Sequence, residues 1–350
     1  MSSRKAVCLC ADRNMIIPAL FVAHSISKAA ESALPFDTIV FSDPSELTTV
    51  HREWASEHGI ELCEDLDISP IVDIRLLQNW TTATLMRLLL PGYLADRYDT
   101  ILYLDSDLTI HGDVPSIFAL DTGDFSVAAV PSGRTWTNAD RRREFEEHCH
   151  ALGMTPPYRY FNMGIMLIDV AMWNQQDLGN RAVSFLRQNP DLCFLPDEQA
   201  LNAVLDGRVA QLSPIWNTPP GLTARDIGDS IIIHYIGPEK PWRRYGYGKR
   251  LFRKGIAFRL YESFLADTPW RGWLDQQWTG RDLYKSFVWE TERIAGRLSG
   301  KLDEPSRQRR AYVEASRQFI AETDFADVAQ GITIRDDARI RLKQKWAPVG

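Results

Sequence analysis

Two carboxylates two positions apart at the end of an apolar run are the sharpest chemical signal in the chain: Ile101-Leu102-Tyr103-Leu104-Asp105-Ser106-Asp107. Ligands of an open α/β sheet bind beyond the carboxyl ends of its strands, so a strand ending here delivers both acids into a crevice. Two such charges about 4 Å apart repel by roughly 4 kcal/mol at an effective dielectric near 20. A cation between them relieves that repulsion, and carboxylate oxygens suit Mg²⁺ or Mn²⁺. The plainer reading is a solvated acidic turn in which Asp105 caps a following helix.

A second signal lies far downstream, at Ile231-Ile232-Ile233-His234-Tyr235-Ile236-Gly237-Pro238-Glu239-Lys240-Pro241-Trp242. As a third ligand, the imidazole of His234 favours Mn²⁺ over Mg²⁺. Gly237 would let backbone approach a phosphate, and Lys240 would neutralise it. The alternative is a hydrogen-bonded histidine at a strand end. Asn162 and Gly164 open the apolar run 161–170; either they serve a ligand (Asn162 on sugar hydroxyls, Gly164 admitting it against backbone) or the strand is entered through a bulge. Asp197 and Glu198 begin a helix, where Asp at the N-cap and Glu against the macrodipole explain both without chemistry. Asp12 and Asn14 follow the first strand, where they could read a base and ribose or make an Asx turn. The string Asp105-Ser106-Asp107-Leu108-Thr109 also fits the DxDxT pattern of haloacid-dehalogenase-type phosphatases. Those enzymes carry it near the chain start, whereas about a hundred residues precede it here.

The elements that must hold these residues alternate along the first 240 positions. Strands are expected at 6–11, 36–42, 60–64, 100–105, 125–130, 161–170, 208–213 and 230–236. Several are apolar on both faces, as in a sheet covered on each side by helices. Helices are expected from Pro18 to Ala33, over 44–58, over 81–90 with a stop at Pro91-Gly92, and over 171–188 and 197–206. That order predicts an open α/β sheet. From Trp242 the texture becomes basic and aromatic, and beyond about 280 it is rich in Arg and Glu, which predicts a helical C-terminal extension. The expected division is 1–245 catalytic, 246–280 a basic, aromatic acceptor-side segment and 281–350 the extension, with 131–160 as a mobile cover of the site.

Composition sets the bounds. The 350 residues carry 40 basic against 46 acidic side chains, net -6, so an electrostatic nucleic-acid partner is not expected. No apolar run approaches a membrane span or a signal sequence, and a cytoplasmic protein is expected. Five scattered cysteines, with no CxxC pair, read as reduced and inert thiols.

Taken together and in this order, ADRN after the first strand, TTATLMRLLLPGYL, YLDSD, YFNMGIMLID, PDEQALN and HYIGPEKPW resemble glycosyltransferase family 8, over about residues 6 to 242. The resemblance implies a GT-A fold, a Rossmann-like nucleotide-binding mixed sheet with helices on both faces. It implies a UDP-glucose or UDP-galactose donor, a glycan or lipid-linked glycan acceptor as in lipopolysaccharide synthesis, and retention of anomeric configuration. Position by position it gives Asp105, Asp107 and His234 to Mn²⁺, Asp12 and Asn14 to uridine, and Ser106 to the ribose. Gly237 and Lys240 fall on the phosphates, Arg87 near the donor sugar, and Asn162 and Asp197 on its hydroxyls. The family most often has Gln where this chain has Glu198, beside the reacting carbon. A carboxylate there makes double displacement chemically available, although front-face attack is the expected route. The basic, aromatic segment after Trp242 is expected either to rest on an anionic acceptor, or on the inner face of the membrane that bears it, or to form a pair of surface helices with a Trp-lined acceptor-side core. A catalytically inactive nucleotide-sugar or glycan-binding protein on the same fold is the competing function, against which the intact metal trio argues.

Overall fold

The computed structural model describes residues 4–29, 36–77, 80–132, 139–156, 158–220, 230–237, 240–245, 251 and 254–300, with positions 310, 311 and 314. Most of the expected extension beyond 300, and part of the expected cover and of the basic segment, therefore lie outside the described residues.

The first half runs β1 (Lys5–Cys10), α1 (Ile16–Ala29), β2 (Asp37–Phe41), α2 (Thr49–Glu57), β3 (Ile60–Cys63), α3 (Thr82–Met86), α4 (Leu90–Tyr93), β4 (Thr100–Leu104) and β5 (Leu108–Ile110). The second continues with β6 (Val127–Pro131), α5 (Ala139–Ala151), β7 (Phe161–Asp169), α6 (Val170–Gln175), α7 (Leu178–Gln188), α8 (Pro196–Leu205), β8 (Ala210–Gln211) and β9 (Ile232–His234). Helices α9 (Ile256–Ala266) and α10 (Gly280–Ser299) follow.

The seven-stranded sheet has the order β3-β2-β1-β4-β7-β6-β8. It is mixed, because β7 runs antiparallel to both β4 and β6. Side chains alternate along each strand, so successive residues enter different cores. Val7, Leu9, Leu102 and Leu104 face the core that holds α1 and α9. Ala6, Cys8, Ile101 and Tyr103 face the other core, with α3, α7 and α8. Cys8 and Cys10 share that second face, and all five cysteines are free and buried. Beyond Trp242, Phe258, Tyr261, Phe264, Trp270 and Trp273 belong to the first core: the Tyr261 ring of α9 stacks on Phe21 of α1 at 3.9 Å.

Three local expectations change. The run 44–58 divides, because Asp43 caps a short turn and Thr48 then starts α2 with a capping box completed by His51. The run 171–188 divides at Asp177, whose left-handed φ of 52° breaks the helix. Pro91 ends nothing; it sits in the first turn of α4, where its missing N–H costs no hydrogen bond.

Candidate active site

Chain reversal beside β1 creates the cleft. Strand β1 lies between β2 and β4, so the connections leave it in opposite directions and a crevice opens at the carboxyl ends of β1 and β4. The cleft is about 750 Å³, and all thirteen residues singled out from sequence, Gly164 included, line it.

Two registers build its acidic centre. Strand β5 pairs antiparallel with β9 so that Leu108 lies opposite His234, which sets the imidazole beside Asp107. Strand β4 pairs with β7, and the ladder continues past its end as the Asp105 N–H donates to the Gly164 carbonyl at 2.8 Å. His234 Nε2 lies 3.5 Å from Asp105 Oδ2 and 3.1 Å from Asp107 Oδ1. One ligand atom from each of the three residues falls within a 4.8 Å span. Two carboxylates and an imidazole make a donor set suited to Mn²⁺. The backbone also leaves room for it. A Cβ on Gly164 would overlap His234 Cε1 and stand 2.5 Å from Asp105 Oδ2, so only glycine lets these two side chains meet over β7.

Arg87 braces the opposite wall. Buried at the end of α3, its Nη2 lies 2.8 Å from Asp105 Oδ1 and its Nη1 lies 3.0 Å from Asp197 Oδ2. The guanidinium covers the Tyr103 ring and also donates to the Met163 carbonyl at 3.1 Å. Nearby the β6–β7 register shifts between Ala129 and Val130, an irregularity at the entry to this strand where a bulge is the alternative reading. Asp197 is not an N-cap: Leu195 holds that position, Pro196 follows, and Asp197 and Glu198 both sit buried in the first turn of α8. The Glu198 carboxylate accepts from Asn162 Nδ2 at 2.7 Å.

The charges in the site act on one another. Burial alone would push the Asp107 carboxyl up, but His234 and Lys240, whose ammonium donates to Asp107, hold it well below the usual carboxylate range. Burial raises Asp197 despite Arg87. Arg87 loses solvation, yet Asp105 and Asp197 more than restore its charge and raise it. Burial pushes the Cys10 thiol up, which leaves it unreactive.

At the mouth, the Asx turn and the cleft position coexist. Asp12 Oδ1 accepts from the Asn14 N–H at 2.9 Å, while its Oδ2 accepts from the Thr81 hydroxyl at 2.9 Å. Ser106 is buried, with its hydroxyl 3.5 Å from the Cys10 carbonyl. Gly237 lines the cleft with φ of 94°, a backbone conformation that disfavours other residues. Asn217 escaped the sequence reading. It donates to Asn162 Oδ1 at 2.7 Å and meets His234 Nδ1 at 3.0 Å, and only its polarity between Trp216 and Thr218 hinted at a role.

Two relatives of this chain are named as sugar transferases. The lipopolysaccharide 1,3-galactosyltransferase of Salmonella typhimurium is 24% identical over 71% of this chain and 74% of its own. The lipopolysaccharide glucosyltransferase WaaO of Escherichia coli K12 is 30% identical over 49% of this chain, which spans about half of that relative (52%). Among solved structures, the galactosyltransferase LgtC in complex with donor and acceptor sugar analogues superimposes with a TM-score of 0.62 at 22% identity, over 77% of this chain and 99% of that one. An active-site glutamine-to-glutamate mutant of LgtC gives 0.63 at 20% identity with the same coverage, 77% and 99%. These likenesses and the mixed sheet establish the GT-A fold. The profile that describes Glycosyl transferase family 8 matches residues 6–246, well over half of the 350, and the chain belongs to that family of glycosyltransferases.

Proposed function

We propose that this glycosyltransferase moves a hexose, glucose or galactose, from a UDP-sugar to a glycan or lipopolysaccharide-type acceptor with retention of configuration, and that it uses Mn²⁺, with Mg²⁺ as the substitute. The carrying observation is the meeting of Asp105 and Asp107 from one end of β4 with His234 from a strand more than a hundred residues later. Its setting supports a diphosphate ligand, since Lys240 and the left-handed Gly237 share the cleft. The named activities of the relatives support the hexose and the acceptor class.

In this reading Asp12 and Asn14 hold the uridine and Ser106 lies by the ribose. Gly237 and Lys240 hold the phosphates, and Arg87, Asn162 and Asp197 orient the sugar. A divalent ion held by the trio supplies charge that offsets what develops on the diphosphate as the glycosyl–phosphate bond breaks. Lys240 adds a second positive charge on the leaving-group side. The acceptor hydroxyl attacks the anomeric carbon from the face that the diphosphate leaves and passes its proton to the departing phosphate oxygen, while Glu198, oriented by Asn162, stabilises the positive charge on that carbon. The division into a catalytic part over 1–245, an acceptor-side segment over 246–280 and an extension over 281–350 belongs to the same proposal.

No described helix is long and apolar enough to cross a membrane. Contact with a cytoplasmic membrane face that bears the acceptor would run through the C-terminal region. There Tyr284, Phe287 and Leu298 of α10 are exposed beside Arg281, Lys285 and Arg297. The test is UDP release from UDP-glucose and UDP-galactose with Mn²⁺. Release is expected with one of them, stopping on chelation and in Asp107→Asn; turnover that survives both changes refutes the assignment.

A further inference from the structure

Asn217 joins the two halves of the cleft. It is 6% exposed and follows the short turn Pro214–Trp216. Its amide stands between His234 Nδ1, at 3.0 Å, and Asn162 Oδ1, at 2.7 Å. Asn162 in turn donates from Nδ2 to Glu198 Oε2 at 2.7 Å.

The direction of every link follows from one backbone group. The Gly164 N–H can only donate, and it meets Asn162 Oδ1 at 3.2 Å. That atom is therefore the acceptor, which leaves Nδ2 to serve the Glu198 carboxylate. Because Asn162 Oδ1 accepts, the atom of Asn217 that faces it must be the donor Nδ2. Asn217 Oδ1 then faces His234. An acceptor at that point holds a proton on Nδ1, so Nε2, which faces Asp105 and Asp107, is the nitrogen that must give up its proton to bind a metal. Reversing either amide would set like groups against each other in a buried site, at a cost of about 1–3 kcal/mol for each unmet group.

We infer that Asn217 is a positioning residue: through the chain His234–Asn217–Asn162–Glu198 it fixes the His234 tautomer that can ligate a metal, and it ties that ligand to the carboxylate on the sugar side. The inference rests on the metal reading of the site. Without an acceptor at Nδ1 the neutral ring keeps its one proton on Nε2, where Asp107 accepts it, and a protonated Nε2 cannot ligate.

The test uses the full chain, labelled with ¹⁵N-histidine, in Asn217→Leu and Asn217→Asp beside wild type. Nitrogen NMR reports whether Nδ1 of His234 carries a proton, and calorimetry reports Mn²⁺ affinity. Wild type should carry a proton on Nδ1. Asn217→Leu should lose it and lose about 10–100-fold in Mn²⁺ affinity. Asn217→Asp keeps an acceptor for Nδ1 but cannot donate to Asn162, and it should restore both the Nδ1 proton and most of the affinity. A wild-type Nδ1 without a proton, or a wild-type Nδ1 proton and affinity in Asn217→Leu, overturns the inference while the metal reading stands. Should Asn217→Leu not fold, an Nδ1 without a proton in Asn217→Asp overturns it equally. Absence of Mn²⁺ binding by wild type overturns the metal reading on which it rests.

Discussion

Replacing Gly164 with Ala adds one methyl group at the place where the two halves of the metal trio cross β7. The new carbon would lie 2.5 Å from Asp105 Oδ2, where ordinary contact begins at 3.4 Å, and 3.1 Å from Asn162 Oδ1, and it would overlap His234 Cε1. Asp105 cannot yield freely, because its backbone N–H is tied to the Gly164 carbonyl and its other oxygen to Arg87. His234 is pinned through Nδ1 by Asn217. Relief must come from a shift of about an ångström in one ligand, against a tolerance near ±0.2 Å in a metal coordination distance. Overpacking of this kind costs about 1–3 kcal/mol of stability, which a folded domain can survive. The expected result is a folded protein with a slightly lower melting temperature whose Mn²⁺ affinity has fallen at least about tenfold, by analogy with disturbed ligand shells. Calorimetric Mn²⁺ titration beside a thermal melt reads both. Wild-type affinity in a folded Gly164→Ala protein would refute the claim that this glycine makes space for the metal ligands.

Two other changes probe the opposite wall. Arg87→Met removes the cation that bridges Asp105 and Asp197, and urea unfolding should show a loss of about 3–5 kcal/mol because Asp197 is left as an uncompensated buried acid. Arg87→Lys should recover little of it, since a single ammonium lacks the fork that reaches both carboxylates; a loss below about 1 kcal/mol in Arg87→Met would contradict the bracing role. Glu198→Gln keeps the shape of the side chain but removes its nucleophilic charge. Substantial turnover in that variant supports front-face attack, whereas its loss together with a glycosylated Glu198 trapped in wild type would establish double displacement.

The site was legible in the sequence because its charged residues interrupt apolar runs. Asp105 and Asp107 end a strand of large aliphatic side chains, and His234 ends another, so burial pattern and chemistry change at the same residue. Strand β5 was not legible, because three residues directly after two aspartates carry too little period to separate a strand from a turn. That short strand nevertheless supplies the register that brings His234 to Asp107. Asn217 was hidden for a related reason: its partners lie 17 and 55 positions away, and no local pattern announces a contact of that range. The break at Asp177 needed a left-handed backbone on a residue that is neither Gly nor Asn, which composition does not foretell. Asp197 and Glu198 looked like helix-capping acids because the first turn of a helix favours carboxylates whatever they also bind. Only the contact of Asp197 with Arg87, on a helix more than a hundred residues earlier, separates the two roles.

The central claim is that Asp105, Asp107 and His234 grip one divalent ion beneath a nucleoside diphosphate. Anomalous diffraction from crystals grown with Mn²⁺ and UDP tests it most directly. The account predicts a manganese peak within coordination distance of all three side chains and of the UDP phosphates. Manganese bound elsewhere in the cleft, or UDP bound with no metal at the trio, would contradict it.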